Sequence, residues 1–164
     1  LFLGATGFGR DITMRDLVST YVYPNTTVVK KITGKILREY LEKTAEFWMI
    51  HNEHIVVNPS YDWPKPQHYN YDMVDGIEYT IKVSNPVGHR ITSLIYQGKD
   101  VTDDMEFTIA MNNYRATGGG NYNMIKEAPT ISTDLSSMVE LLANYIQEHK
   151  VIDFEPVNNI TVIK

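Results

Sequence analysis

The order of elements predicts an α+β fold in a single domain, and three observations carry that expectation. Stretches rich in β-branched residues cluster in the middle of the chain, with helical patterns on either side. Strands and helices segregated in this way belong to α+β architectures rather than to a doubly wound parallel sheet. The 164 residues suit one hydrophobic core and are few for two. No internal repeat, low-complexity tract or charge block divides the chain.

Each element has a local reason. Thr13-Met-Arg-Asp16 sets an N-cap hydroxyl three residues before an acid, ahead of Leu17 and Val18, which predicts a short helix over 14–20. Pro24 and Asn25 end it. "TTVVKKI", residues 26–32, reads as a strand. After Thr33 and Gly34, the residues Ile36, Leu37, Tyr40, Leu41, Thr44, Ala45 and Trp48 recur at helical spacing, which predicts an amphipathic helix through "KILREYLEKTAEFWMI". "HIVVN" (54–58) reads as a short strand, and the three prolines of "PSYDWPKPQHYN" mark a loop. "IEYTIKV", "RITSLIY" and "EFTIAMN" read as three strands of a meander. Ser132 or Thr133 is placed to cap a long helix carrying Leu135, Met138, Val139, Leu142 and Ile146, and "NNITVIK" closes the chain as a strand.

Composition narrows the function classes. Hydrophobic residues make up 43% and charged residues 21%, a globular balance. A net charge of −5 lacks the basic footprint of a duplex-DNA binder. No apolar run approaches the ~20 residues of a membrane span, and no basic stretch followed by an apolar one predicts a signal peptide here. Cysteine is absent, which removes disulfides, thiolate ligands and a cysteine nucleophile. Eleven tyrosines are many for this length, and tyrosine serves binding surfaces and cores alike.

Three stretches are candidate sites. "GATGFGR" (4–10) has the spacing of a dinucleotide loop, but only Leu1–Leu3 precedes it and no βαβ succession follows, so a chain start without nucleotide is expected. "HNEH" sets His51 and His54 three apart, short of the three or four ligands a zinc site needs, and reads as a polar helix-to-strand connection. "NNYRATGGG" is the third. A glycine run loses much conformational entropy on folding. Here it is either a loose turn or a backbone that a ligand approaches beside Tyr114. An aromatic face can stack on a nucleobase for ~1–3 kcal/mol, and a second ring on the other face should complete the grip. Spacing alone does not pick that ring.

Three blocks, "ITMRDLVSTYVYPNTTVVKKITGKILREYLEKTA", "YDMVDGIEYTIKVSNPVGHRI" and "MNNYRATGGG", together resemble the C-terminal domain of the 5′-nucleotidase family. The similarity is greatest to its 2′,3′-cyclic-nucleotide 2′-phosphodiesterase/3′-nucleotidase branch, and it covers residues 11–164, with 1–10 a chain start or loop remnant. The resemblance implies a layered α-β-β-α fold with mixed sheets. It implies a nucleoside or nucleotide as ligand, with the base stacked between Tyr23 and Tyr114. It further implies that Asn25 meets the base edge, and that Gly118 and Gly119 form the pocket wall near the ribose. Hydrolysis, with two divalent metal ions, would belong to an N-terminal metallophosphoesterase domain of the same polypeptide. No catalytic residue and no metal ligand is expected in this chain, which should bind without hydrolysing. Relatives are exported, so an extracellular, cell-wall or periplasmic location is expected. In the 5′-nucleotidase branch an aspartate that binds the ribose hydroxyls stands where this chain has Gly120, so a cyclic or 3′-nucleotide is favoured over a 5′-nucleotide. The alternatives are a 5′-nucleotidase or nucleotide-sugar hydrolase domain, and a non-catalytic binding or scaffold module.

Overall fold

The computed structural model describes residues 7–153 and 155–164. Leu1–Leu3 and the first three residues of "GATGFGR" lie outside the described residues, and residues 7–10 run as exposed chain without helix or strand. Helix α1 (Met14–Thr20) begins where the capping box predicts. The Thr13 hydroxyl accepts the Asp16 N–H at 3.4 Å, and the Asp16 carboxylate accepts the Thr13 N–H at 2.7 Å. Strand β1 (Thr26–Thr33) leads straight into helix α2 (Gly34–Ala45), capped by the Thr33 hydroxyl. Only glycine fits at 34, because a Cβ would collide with the Thr102 carbonyl and lie 2.9 Å from Val101.

Helix α2 stops at Ala45 and does not run on to Ile50 as the helical spacing predicted. Trp48–His51 forms strand β2 instead, paired antiparallel with strand β3 (His54–Val57). Asn52 and Glu53 between them have φ of 49° and 65°, a two-residue turn whose twist suits a hairpin. Trp48 keeps the helical rhythm only because it also packs against the core, from a strand. "HNEH" is therefore a strand-to-strand turn, with His51 and His54 opposite each other.

The middle strands are β4 (Glu78–Lys82), β5 (Ile91–Tyr96), the two-residue β6 (Lys99–Asp100) and β7 (Glu106–Asn112). The expected meander breaks after its second strand. β4 and β5 pair, β6 takes the place beside β5, and β7 crosses to the other sheet to lie antiparallel to β1. A further strand, β8 (Thr130–Ser137), occupies the far side of β1, where the sequence predicted the start of the last helix. That helix, α5 (Met138–His149), is capped by Ser137 rather than Ser132 or Thr133. Ser137 has the partner the others lack: Glu140, three residues on, accepts the Ser137 N–H at 2.7 Å. Strand β9 (Ile160–Ile163) adds in parallel to β4. The result is an antiparallel sheet β7-β1-β8 and a mixed sheet β6-β5-β4-β9, the α+β class with mixed sheets that the sequence predicts.

The core forms where α2 meets both sheets. Leu37, Tyr40, Leu41 and Ala45 pack with Ile32 of β1, Tyr79 and Ile81 of β4, and Ile91 and Leu94 of β5. Each fully buried aliphatic or aromatic side chain contributes ~1.5–3 kcal/mol. Register then positions the site. Thr27 stands opposite Asn112, so the chain entering β1 and the chain leaving β7 lie side by side at one end of this sheet.

Candidate functional site

Tyr21, Tyr23 and Asn25 enter β1, while Asn112, Tyr114 and Arg115 leave β7. With Tyr69 and Asp72 from the region after β3, they line a cavity of about 200 Å³. Both approach segments are pinned. The Met138 N–H at the start of α5 donates to the Asn25 carbonyl at 2.9 Å, and the Thr26 N–H donates to Asn113 Oδ1 at 3.3 Å. Asn112 caps the short helix α3 (Asn113–Ala116), its Oδ1 accepting the Arg115 N–H at 2.8 Å.

Three tyrosine rings border the opening. Tyr23 is 55% exposed, Tyr114 42% and Tyr69 39%, although solvent-facing aromatic area is unfavourable. None of the three packs on another aromatic ring among the described residues, in contrast to Phe47, Trp48, Tyr61 and Tyr71, which pack on one another. Tyr114 instead has the Arg115 guanidinium 5.5 Å from its ring centroid and Gly119 against its ring edge.

Beneath the rings lies a buried ion pair. Arg115 is 3% exposed. Its Nε and Nη2 reach Asp72 Oδ2 and Oδ1 at 2.5 and 2.8 Å. Nη1 donates to the Gly119 carbonyl, and the Tyr40 hydroxyl donates to Asp72 Oδ2. The guanidinium lies 3.9 Å from the Tyr122 ring centroid and 5.5 Å from that of Tyr114. Burial opposes the arginine's charge, but the hydrogen bonds and the charge of Asp72 outweigh it and hold its pKa above the usual value. Burial, reinforced by the Asp72 carboxylate, raises the pKa of the Tyr40 phenol well above the ordinary range. Arginine and aspartate neutralise each other, so the floor of the cavity is polar without carrying net charge.

The glycines have a different setting from the one expected. None of Gly118, Gly119 and Gly120 lines this cavity. Gly118 and Gly120 hold φ of 88° and 70°, which an L side chain rarely adopts. A Cβ at Gly119 would stand 2.6 Å from two ring carbons of Tyr114 and from its carbonyl oxygen. A Cβ at Gly120 would stand 2.5 Å from Arg115 Nη1 and still closer to Asn70 Oδ1. Asn70 Oδ1 is itself buried with no partner among the described residues. The glycine run is thus the seat on which Tyr114 and Arg115 rest. At 120 the space a side chain would need is taken by Asn70 and the Arg115 guanidinium.

Of the residues the sequence singled out, Tyr23, Asn25 and Tyr114 come together and the glycines lie behind them. Tyr21, Tyr69, Asp72, Asn112 and Arg115 were missed. Tyr21 had a signal, its two-residue spacing from Tyr23 in "YVYPNT". Asp72 stands in the block "YDMVDGIEYTIKVSNPVGHRI" but with nothing to single it out, and Tyr69 had no signal; only the tertiary fold brings their loop here. Among the described residues no group of three or more His, Asp or Glu side chains could hold a metal ion, and no helix is long and apolar enough to cross a membrane.

Comparison with known proteins agrees with this architecture. The family described as 5′-nucleotidase, C-terminal domain, matches residues 5–127. A 2′,3′-cyclic-nucleotide 2′-phosphodiesterase/3′-nucleotidase of Haemophilus influenzae is 36% identical over 83% of this chain and 22% of its own length. The protein of the same description from Salmonella typhimurium is 37% identical over 66% of this chain and 19% of its own. This chain thus spans about a fifth of the length of those relatives. A Staphylococcus aureus protein, solved as a candidate 5′-nucleotidase in complex with alpha-ketoglutarate, superimposes with a TM-score of 0.93 at 36% identity, covering 100% of this chain and 32% of that one. The 5′-nucleotidase precursor of Thermus thermophilus shares the fold, with a TM-score of 0.71 at 21% identity over 93% of this chain and 28% of that one. The chain belongs to the 5′-nucleotidase C-terminal domain family.

Proposed function

We propose that this chain is the nucleoside-recognition domain of a metal-dependent nucleotide hydrolase, and that it grips the base between Tyr23 and Tyr114. The single observation that carries the reading is that these two exposed tyrosines, remote in sequence, border one cavity with unstacked faces. Two quantities support it. At about 200 Å³ the cavity is smaller than the ~300–1,000 Å³ of sites that enclose a drug-sized ligand, a size for one ring system rather than a whole nucleotide. Its one arginine is neutralised by Asp72, which suits an uncharged base and leaves the phosphate outside. The phosphate would then be held by the remainder of a longer polypeptide, where two divalent metal ions would activate water and stabilise the leaving oxygen. The names of the Haemophilus and Salmonella relatives favour 2′,3′-cyclic nucleotides and 3′-nucleotides as substrates of the full-length protein.

The test is a titration of the chain with adenosine, 3′-AMP and 5′-AMP, followed by NMR of the tyrosine rings. Shifts should concentrate on Tyr23 and Tyr114. Tyr23→Ala and Tyr114→Ala should each weaken binding by about 5- to 150-fold, the equivalent of ~1–3 kcal/mol of stacking, while the melting temperature stays within a degree or two because both rings are half exposed. A variant that unfolds the domain, or ligands that perturb no tyrosine at millimolar concentration, would refute the base clamp.

A further inference from the structure

Tyr21 carries a feature that the stacking reading leaves unused. Its phenol oxygen faces two amide donors: Asn25 Nδ2 at 3.0 Å and Asn112 Nδ2 at 3.5 Å. The orientation of one of these amides is fixed from outside the cavity. Asn112 must turn its Oδ1 to the Arg115 N–H, at 2.8 Å, to cap α3, and this leaves its Nδ2 facing Tyr21. A hydroxyl has one proton and two acceptor lone pairs. With both amides donating to the oxygen, the proton of Tyr21 has no acceptor among the described residues. Asn25 is the complement: its Nδ2 is given to Tyr21, and its Oδ1 takes no hydrogen bond from the described residues. Both side chains line the cavity bordered by Tyr23 and Tyr114.

Resting on the base-clamp reading, we infer that Tyr21 is a specificity-determining residue that donates a hydrogen bond to a ring-nitrogen acceptor of the base, with Asn25 Oδ1 accepting from a neighbouring exocyclic amine. The pair presents a donor beside an acceptor. Adenine answers it with the N1 acceptor beside the N6 amine, and cytosine with N3 beside N4. Hypoxanthine and uracil present the reverse, a ring N–H beside a carbonyl oxygen. With those bases the Tyr21 proton would meet another donor, and a site built to hydrogen-bond rejects a ligand that leaves its polar groups unpaired.

The experiment is calorimetric or NMR titration of the 164-residue chain and its Tyr21→Phe variant with adenosine and with inosine. These ligands share ring shape and sugar and differ at the N1 and C6 positions. The wild-type chain should prefer adenosine by about 3- to 10-fold, the span of one net hydrogen bond. Tyr21→Phe should weaken adenosine by that factor without weakening inosine, and so shrink the ratio, leaving only the share that Asn25 supplies. Equal wild-type affinities, a preference undiminished in Tyr21→Phe, or a uniform loss for both nucleosides would each overturn the role of Tyr21 and leave the base clamp standing. Failure of the wild-type chain to bind either nucleoside would overturn the clamp and this inference together.

Discussion

Replacing Arg115 with methionine removes the cation from a buried pair while keeping most of the side-chain volume. The loss comprises the two hydrogen bonds to Asp72, at 2.5 and 2.8 Å, the donation to the Gly119 carbonyl, and the stacking over Tyr122 at 3.9 Å. What remains is a carboxylate facing the Tyr40 hydroxyl with its countercharge gone. Breaking a buried pair from one side costs ~3–5 kcal/mol, chiefly because the orphaned charge stays desolvated. The Asp72 side chain is 22% exposed, so the loss should fall near the lower end, about 3 kcal/mol. In a domain of this size each kcal/mol moves the melting temperature by ~2–4 °C, so Arg115→Met should melt roughly 6–12 °C lower. The assay is thermal and urea unfolding of the single variant beside the double variant Arg115→Met/Asp72→Leu. The double variant removes the stranded carboxylate and should regain at least ~1 kcal/mol over the single one. If the single variant loses under ~1 kcal/mol, or the double is no more stable than the single, the floor of the cavity is not held by this ion pair and the reasoning fails.

Three other outcomes follow from the same geometry. Gly119→Ala places a methyl 2.6 Å from the Tyr114 ring and from its backbone carbonyl, so moving the ring alone does not relieve the contact; the variant should lose ~1–3 kcal/mol by overpacking and bind adenosine more weakly, both read by melting and titration. Lys30 is buried and its Nζ donates to the carbonyls of Ile125, Lys126 and Ala128 at 3.0, 3.1 and 2.9 Å, closing the end of helix α4 (Asn123–Lys126). Lys30→Met should leave those acceptors unpaired and destabilise by ~2–4 kcal/mol in urea unfolding. At high pH, Tyr79, raised by burial to about 12, and the still higher Tyr40 and Tyr122 stay protonated in the folded chain. A raised folded pKa means the stabilisation is complete below the unfolded phenol value near 10, and it is lost as pH rises from there toward the folded values. Phenolate absorbance should therefore show three tyrosines that ionise only with unfolding.

The sequence by itself determined what neighbours along the chain can decide. The capping box at Thr13 and Asp16, the strand from Thr26 and the apolar stripe of α2 as far as Ala45 are interactions across one turn or one pleat, and they form where the residues predict. The resemblance carried by the three blocks likewise implied a role for Tyr23, Asn25 and Tyr114, and the fold brings these three to one cavity. Only the tertiary structure decided the rest. Whether β7 continues a meander or crosses to β1 depends on a distant strand partner, which no local spacing encodes. Trp48 fits a helix or a strand equally until the hairpin with β3 claims it. Asp72 and Tyr69 look like ordinary loop residues until β1 and β7, in register, open a cavity beside them. The glycines illustrate the difference in kind. Their number in "TGGG" left open a loose turn or a close approach by a ligand, and did not say what a side chain there would meet. The obstacles are the Tyr114 ring, the Arg115 guanidinium and Asn70. The Asn70 obstacle at Gly120 is contributed by the loop before β4, and its position is fixed by folding rather than by local sequence.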